Sequence, residues 1–349
     1  MDPLKILLVG ATGFIGGTIF QELQESTFGP NANIQLTIAV RQPSQAEIFS
    51  NKGFDTALIS GLDDADGLEN AARDHDIVIN AATGQHFGAP KALLRGLGKR
   101  KEQTGRDCHF IHLSGTTNIA VPAITPSPYQ LQTFSDADDD IYGYEKSRIE
   151  KEPYAQRVTD VVVIDEGHRF ASKTYIIMPP TVYGNGTGMF KKQSHQIPTL
   201  IRSAIKVGYS EYIGSGEAEL GHVHVTDLAR LFVLLVAKVS AGETAPSGQQ
   251  GIYFANTGTH RWVDVAGVIA KVGFELGVLK SAVPRSISLE EGGQKFADGD
   301  VGFAEACFAS NSSSIPQKAF TLGWKPVNTE ADFQASIKTT VEEVYRRAV

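Results

Sequence analysis

Four apolar residues, Ile6 to Val9, run straight into Gly10, after which Ile15, Ile19 and Leu23 recur every four positions. A continuous apolar run is the pattern of a parallel strand buried on both faces, and the four-residue repeat is the stripe of a helix packed on a sheet. The same switch of period repeats along the first half of the chain. After a break at Gly29-Pro30-Asn31, Ile34, Leu36, Ile38 and Val40 form a second strand that ends at Arg41. Ala57–Ser60 predicts a third strand, Leu68–Arg73 a helix, Ile77–Asn80 a fourth strand and Pro90–Lys101 another helix. Phe110 to Thr117 predicts a fifth strand running into a hydroxyl-rich edge. Such alternation predicts an α/β fold, a Rossmann-type doubly wound parallel sheet with its ligands at the carboxyl ends of the strands.

Special residues fall at those ends. Gly10, Gly13 and Gly16 occupy the first strand-to-helix turn, where a missing Cβ lets a pyrophosphate approach the free N–H groups of the helix. Asn80-Ala-Ala-Thr-Gly84 closes the fourth strand with small residues, as expected where backbone lies against a cofactor. The second strand ends where the adenine ribose sits in dinucleotide-binding sheets. An acid there would bond the 2′-hydroxyl; Arg41, with no carboxylate before Glu47, suits a 2′-phosphate and so NADP(H) over NAD(H).

Residues 118–140 are rich in Pro, Ser and Asp and predict a long loop over the site. The acidic run Asp136–Asp140 reads as a solvated helix entry. The next helix is expected to run from Ile141 to about Arg157, with Tyr142 and Lys146 one turn apart on one face. A phenol ordinarily titrates near 10, and a neighbouring ammonium favours its ionised form, which would make Tyr142 a usable acid or base. Val161–Ile164 reads as an added strand before a sixth at Tyr175–Met178, and 165–173 as an insertion. Beyond Gly184, helices are expected at Ile197–Val207, Leu228–Val239, Trp262–Leu276 and Ala331–Arg347, with 281–316 loop-rich.

Composition narrows the function classes. The chain has 349 residues, 42% hydrophobic and 20% charged, with a net charge of −7 that argues against nucleic acid or an anionic membrane as the main partner. Cys108 and Cys307 are too far apart in sequence for a zinc motif, and the histidines 109, 112, 222 and 224 offer no third ligand at a telling spacing, so no metal is expected. The apolar start is too short for a signal peptide, and no run approaches a membrane span, which suggests a cytoplasmic protein.

Taken together, Gly10-x-x-Gly13-x-x-Gly16, Asn80–Gly84, Ser114-Gly-Thr116, Tyr142-x-x-x-Lys146, Pro179–Gly184, Gly214-Ser-Gly216, His224–Ala229 and Leu322–Pro326 stand in the order of the extended short-chain dehydrogenase/reductase superfamily, also called the NAD(P)-dependent epimerase/dehydratase family, which the chain resembles. The resemblance implies a dinucleotide-binding domain over 1–184, with 226–259 returning to it, and a smaller mixed α/β substrate domain over 185–349. It implies cofactor contacts from Gly10, Thr12, Gly13, Phe14, Ile15, Gly16, Arg41, Leu62, Ala81, Ala82, Thr83, Pro179 and Val182. Tyr142 would exchange a proton with the substrate oxygen, Lys146 would hold the nicotinamide ribose, and Ser114 or Thr116 would bond the same oxygen, since Gly115 fills the usual serine position. A homodimer through helices 89–101 and 141–157 is a further implication.

Departures from the family bear on the substrate. Thr181 replaces an Asn that helps bind a diphosphate in the sugar-nucleotide members, and Glu219-Leu-Gly-His222 lacks their Arg. The expected function is therefore NADP(H)-dependent oxidation of a secondary alcohol, or reduction of a carbonyl, in a small organic molecule. The alternatives are a sugar-nucleotide epimerase or dehydratase with retained cofactor, and a dinucleotide-sensing regulator without turnover.

Overall fold

The computed structural model describes residues 3–26 and 33–348; the predicted break at Gly29-Pro30-Asn31 lies outside them. Strands β1 (Leu4–Val9), β2 (Ile34–Val40), β3 (Asp55–Leu58), β4 (Ile77–Asn80) and β5 (His109–Leu113) alternate with helices α1 (Phe14–Glu25), α2 (Pro43–Ser50), α3 (Ala65–Ala72) and α4 (Gly88–Thr104). With Lys173–Met178 and Ile252–Phe254 the strands form one seven-stranded sheet, in the order 252–254, 173–178, β5, β4, β1, β2, β3. Every neighbouring pair in it is parallel. The order reverses between β1 and β4, which opens a crevice at their carboxyl ends.

Successive residues of each strand feed opposite layers. Ile6, Leu8, Ile38, Ile79 and Ile111 pack against Ile19, Phe20 and Leu23 of α1 and against the helix Val225–Ser240. Leu7, Val9, Val78 and Phe110 pack on the other side against Leu68 of α3, Leu93 and Leu97 of α4, and Val163 and Ile164. Each of these burials contributes about 1.5–3 kcal/mol, which is why the strands carry no polar alternation. The doubly wound sheet is as the sequence pattern predicts.

Several local expectations are corrected. Residues 141–157 are not one helix but two, α5 (Ile141–Ile149) and α6 (Ala155–Arg169). Pro153 disfavours helical backbone at Glu152 and ends the run. Val161–Ile164 is no strand; it lies inside α6, with Val163 and Ile164 turned to the sheet. The supposed insertion 165–173 is the last turn of α6, a tight turn at Ala171 (φ 50°) and the first residue of the sixth strand. The loop 118–140 is tied down, because Val121–Pro122 pairs with Ser310–Asn311 and Thr133–Ser135 with Ser313–Ile315. Asp136 is not solvated: it is fully buried and accepts from the Phe254 and Lys318 amides at 2.9 Å each. Asp140 does head α5, accepting from the Gly143 N–H.

The rest of the chain builds a second core around Tyr183, Leu200, Trp262, Phe308 and Phe333. Its centre is a three-stranded sheet of Gly258–Arg261, Glu219–His224 and Thr181–Tyr183, covered by helices Gln196–Val207, Trp262–Glu275 and Glu330–Ala348. The stretch 281–316 is not mainly loop. It holds helices Leu289–Phe296, opened by a Ser288/Glu291 capping box, and Val301–Phe308, capped by Asp300.

Candidate active site

Gly10 has φ +97°, and a Cβ there would lie 2.6 Å from the Ala81 carbonyl carbon and the Ala82 nitrogen. The glycine is required by both conformation and space. The Gly13 N–H donates to the Gly10 carbonyl at 2.9 Å, and Gly13 heads α1 without a side-chain cap or an acid in the first turn. The first N–H groups of α1 are thus left for an anion. Segment 186–191 lies over this turn: the Thr187 N–H donates to Thr18 Oγ1 (3.3 Å), and the Lys191 N–H donates to the Thr12 carbonyl (3.4 Å). The cradle fits a dinucleotide pyrophosphate.

Ala81 is buried, Ala82 exposed and Thr83 half-buried at the end of β4. Arg41 is exposed and has no ion pair among the described residues. Gln42 heads α2 without a side-chain cap. Leu62 is half-buried against the α3/α4 layer. Of its acidic neighbours, Asp64 caps α3 through the Gly67 N–H (2.9 Å), and Asp63 pairs with His86 (3.0 Å).

At the carboxyl edge, a cavity of about 220 Å³ is bounded by Phe14 and Ile15 of α1, Ser114–Thr117 after β5, Pro179–Val182 after the sixth strand, and His195, Leu220 and Cys307. Thr116 Oγ1 accepts from Ser312 Oγ (3.1 Å), and the buried Thr181 Oγ1 has no partner among the described residues. Ser114 borders the cavity, but its hydroxyl donates to buried Asp160 (2.5 Å). A larger cavity of about 630 Å³ adjoins through Thr117 and is lined by Tyr154, Arg157, Phe303 and Glu305. The Tyr154 hydroxyl donates to Thr117 Oγ1 (3.3 Å), which donates to Gln156 Oε1 (2.6 Å).

Tyr142 and Lys146 meet, Nζ to Oη at 2.7 Å, but away from either cavity. The Tyr142 hydroxyl donates to Asp165 (2.5 Å). Asp165 lies eleven residues beyond Tyr154, roughly 16 Å down the axis of α6. There it shares a surface with Lys101 and Lys173, at the amino edge of the sheet. Burial and the Asp165 carboxylate raise the Tyr142 pKa, and Lys146 only partly offsets them. The proton-exchange and ribose-holding roles expected of this pair therefore do not fit its position. The expectation assumed one continuous helix; the break at Pro153 instead puts Tyr154 at the head of the helix that feeds the sixth strand. Tyr154 carries no spacing signal in the sequence, because no lysine follows it: Val158 stands one turn on.

Behind Ser114, Asn118 Nδ2 donates to Glu145 (2.7 Å) and Asp160 (2.8 Å), both fully buried. Burial pushes Asp160 up to about 8 and raises Glu145 as well, with the Asp160 charge adding to the shift. The two carboxyl groups hydrogen-bond one another, as two buried acids holding one proton do, and Asp160 Oδ1 also lies 3.7 Å from His112 Nε2. The sequence held no sign of this pair, because each acid lies alone in an unremarkable helix. His222 lies flat on Phe333 (4.0 Å) and faces Glu330 at 3.3 Å. Among the described residues no group of three or more His, Cys, Asp or Glu could hold a metal, and no helix is long and apolar enough to cross a membrane.

Residues 10–115 match an NAD(P)H-binding family and residues 130–248 the NAD dependent epimerase/dehydratase family. The chain belongs to the extended short-chain dehydrogenase/reductase superfamily, whose cofactor is a nicotinamide dinucleotide. It is 25% identical to the oxidase ucsJ of an Acremonium species, over 93% of both chains. It is also 25% identical to the dTDP-glucose 4,6-dehydratase of Escherichia coli, over 97% of this chain and 92% of that one. Among solved structures it resembles DesIV, a dTDP-glucose 4,6-dehydratase from Streptomyces venezuelae solved with NAD and TYD bound. The TM-score is 0.66 at 16% identity, covering 99% and 97% of the two chains.

Proposed function

We propose that the chain is an NADP(H)-dependent oxidoreductase that interconverts a secondary alcohol and a carbonyl in a small organic molecule. The observation that carries this reading is the hydroxyl-lined cavity at the carboxyl edge, walled on one side by the start of α1 and on the other by Leu220 and Pro180. The first turn of α1 would hold the pyrophosphate, the backbone at Ala81–Thr83 would lie along the dinucleotide, and Pro179–Val182 would border the nicotinamide. Bound there, the nicotinamide would supply or accept a hydride. Thr116, whose hydroxyl accepts from Ser312, would donate to the substrate oxygen, and Thr117, whose proton goes to Gln156, would accept from a substrate hydroxyl. Tyr154 donates to Thr117 and, because burial raises its pKa, serves as a neutral donor that orients this hydroxyl. Leu220 lies where the sugar-nucleotide reading wants a cation near the substrate, which favours a substrate without a diphosphate.

Arg41 supports the preference for NADP(H), as an exposed guanidinium beside the uncapped start of α2. Titration by nicotinamide fluorescence should give tighter binding of NADPH than NADH. Arg41→Ala should weaken NADPH by roughly tenfold or more, for the loss of one charge-assisted bond, and leave NADH within about twofold. Tighter NADH binding in the wild type would reverse the preference. Val158 favours a second reading, dinucleotide sensing without turnover, since a Tyr154 that lacks a lysine is a weak acid–base group.

A further inference from the structure

Two titratable side chains border the smaller cavity, Cys307 and His195. Burial pushes the Cys307 thiol up to about 12, so it stays protonated and unreactive. Thr116 and Thr117 can hydrogen-bond a substrate, but hydroxyls of this type do not ionise near neutrality. His195 stands immediately before the helix Gln196–Val207, on the segment that leaves the Thr181–Tyr183 strand and crosses the start of α1. Its ring meets Phe303 edge-on, with centroids 6.1 Å apart. Neither ring nitrogen has a hydrogen-bond partner among the described residues, and the side chain is open to solvent.

We propose that His195 is the catalytic residue that exchanges the substrate's hydroxyl proton in this cavity. The inference rests on the oxidoreductase reading above and assigns a proton carrier that neither Tyr142 nor Tyr154 supplies. In the oxidative direction the alcohol O–H bond breaks and its proton passes to a neutral ring nitrogen of His195. The oxygen lone pair closes the C=O bond as the carbinol C–H pair leaves as hydride to oxidised nicotinamide. The imidazolium then returns its proton to solvent, to which the ring is open. Reduction is the reverse. The charged groups around His195 are Lys191 on its own segment, Arg202 on the following helix and Asp298 beyond Phe296. Partial burial and the two cations hold the ring below its ordinary value, with Asp298 opposing, so it is a neutral base at pH 7.

The test joins a titration to kinetics. Histidine NMR on the cofactor-free protein should show one ring titrating below the ordinary value of about 6.5 that disappears in His195→Gln and shifts when NADP⁺ is added. Oxidation of 1-phenylethanol and cyclohexanol with NADP⁺, followed from about pH 5 to pH 9, should then lose kcat/KM in acid with the same pKa. His195→Gln should be about 100-fold slower or worse and flat in pH, and added imidazole should partly restore His195→Ala. Melting temperature and NADP⁺ affinity serve as controls for folding. A His195→Gln protein that keeps the wild-type rate and acid limb overturns this assignment and leaves the oxidoreductase reading standing. A wild-type protein that binds NADP⁺ yet oxidises neither alcohol and reduces neither corresponding ketone overturns both.

Discussion

Tyr142 shows how a residue can satisfy a spacing rule and still be elsewhere. Its hydroxyl does meet the Lys146 ammonium at 2.7 Å, as the four-residue spacing requires, but it donates its hydrogen bond to Asp165, which keeps the phenol protonated and turned away from the cavities. Tyr154, with no lysine after it, is the phenol that reaches the cavity hydroxyls. Tyr142→Phe should therefore leave kcat/KM within about twofold, whereas Tyr154→Phe should lower it by roughly ten- to a hundredfold, the loss of one buried hydrogen bond near the reacting oxygen. Steady-state rates of the two variants with one alcohol decide this; the opposite ranking would restore the Tyr142 assignment. Ser114 makes the same point for a hydroxyl. It lies at the predicted strand end, but its bond to Asp160 turns it into a support for the loop rather than a group free for substrate.

At the scale of elements, the first strand, turn and helix are legible because their constraints are local. The Gly10 backbone conformation and the Ala81 contact exclude a side chain whatever else the fold does. Gly10→Ala should cost about 1–3 kcal/mol of stability, from the strained backbone and the overpacked contact. It should also abolish the rise in melting temperature that saturating NADPH gives the wild type. Thermal melts with and without NADPH check both, and a variant that keeps the shift would show that the turn tolerates a methyl group. The helices α5 and α6 are hard to read from the sequence for the opposite reason. The apolar run Val161–Ile164 has no period of its own, and only its burial between sheet and solvent makes it a helix face. Pro153 was the visible sign of the break between them. Residues 281–316 likewise carry turn-rich spelling, and they fold as two eight-residue helices because Asp300 and the Ser288/Glu291 box satisfy their first N–H groups.

For the whole molecule, buried imidazoles set the response to acid. Burial lowers His109 and His222 to about 4 and His112 and His260 to about 3. As pH falls below about 6.5, the unfolded chain takes up protons that the folded chain refuses, so stability declines. Asp160 acts in the other sense. Raised to about 8, it holds in the folded state a proton that the unfolded chain gives up at much lower pH. Its contribution is full below the ordinary carboxylate range and fades as pH rises through about 8. Four histidines outweigh one shared-proton acid pair, so urea midpoints should fall between about pH 6.5 and pH 5. A midpoint that holds or rises over that interval would mean the histidines are charged in the folded protein.

The sequence by itself determined the sheet, the glycine turn and the place of Arg41, because each follows from the residues of one strand or one turn and from the alternation of apolar runs. Only the tertiary structure decided which hydroxyls face the cavity, which acids share a proton and which tyrosine stands near the carboxyl edge. Those facts depend on how α5, α6 and the segment around His195 pack across the sheet, and no local pattern records a contact between residues tens of positions apart.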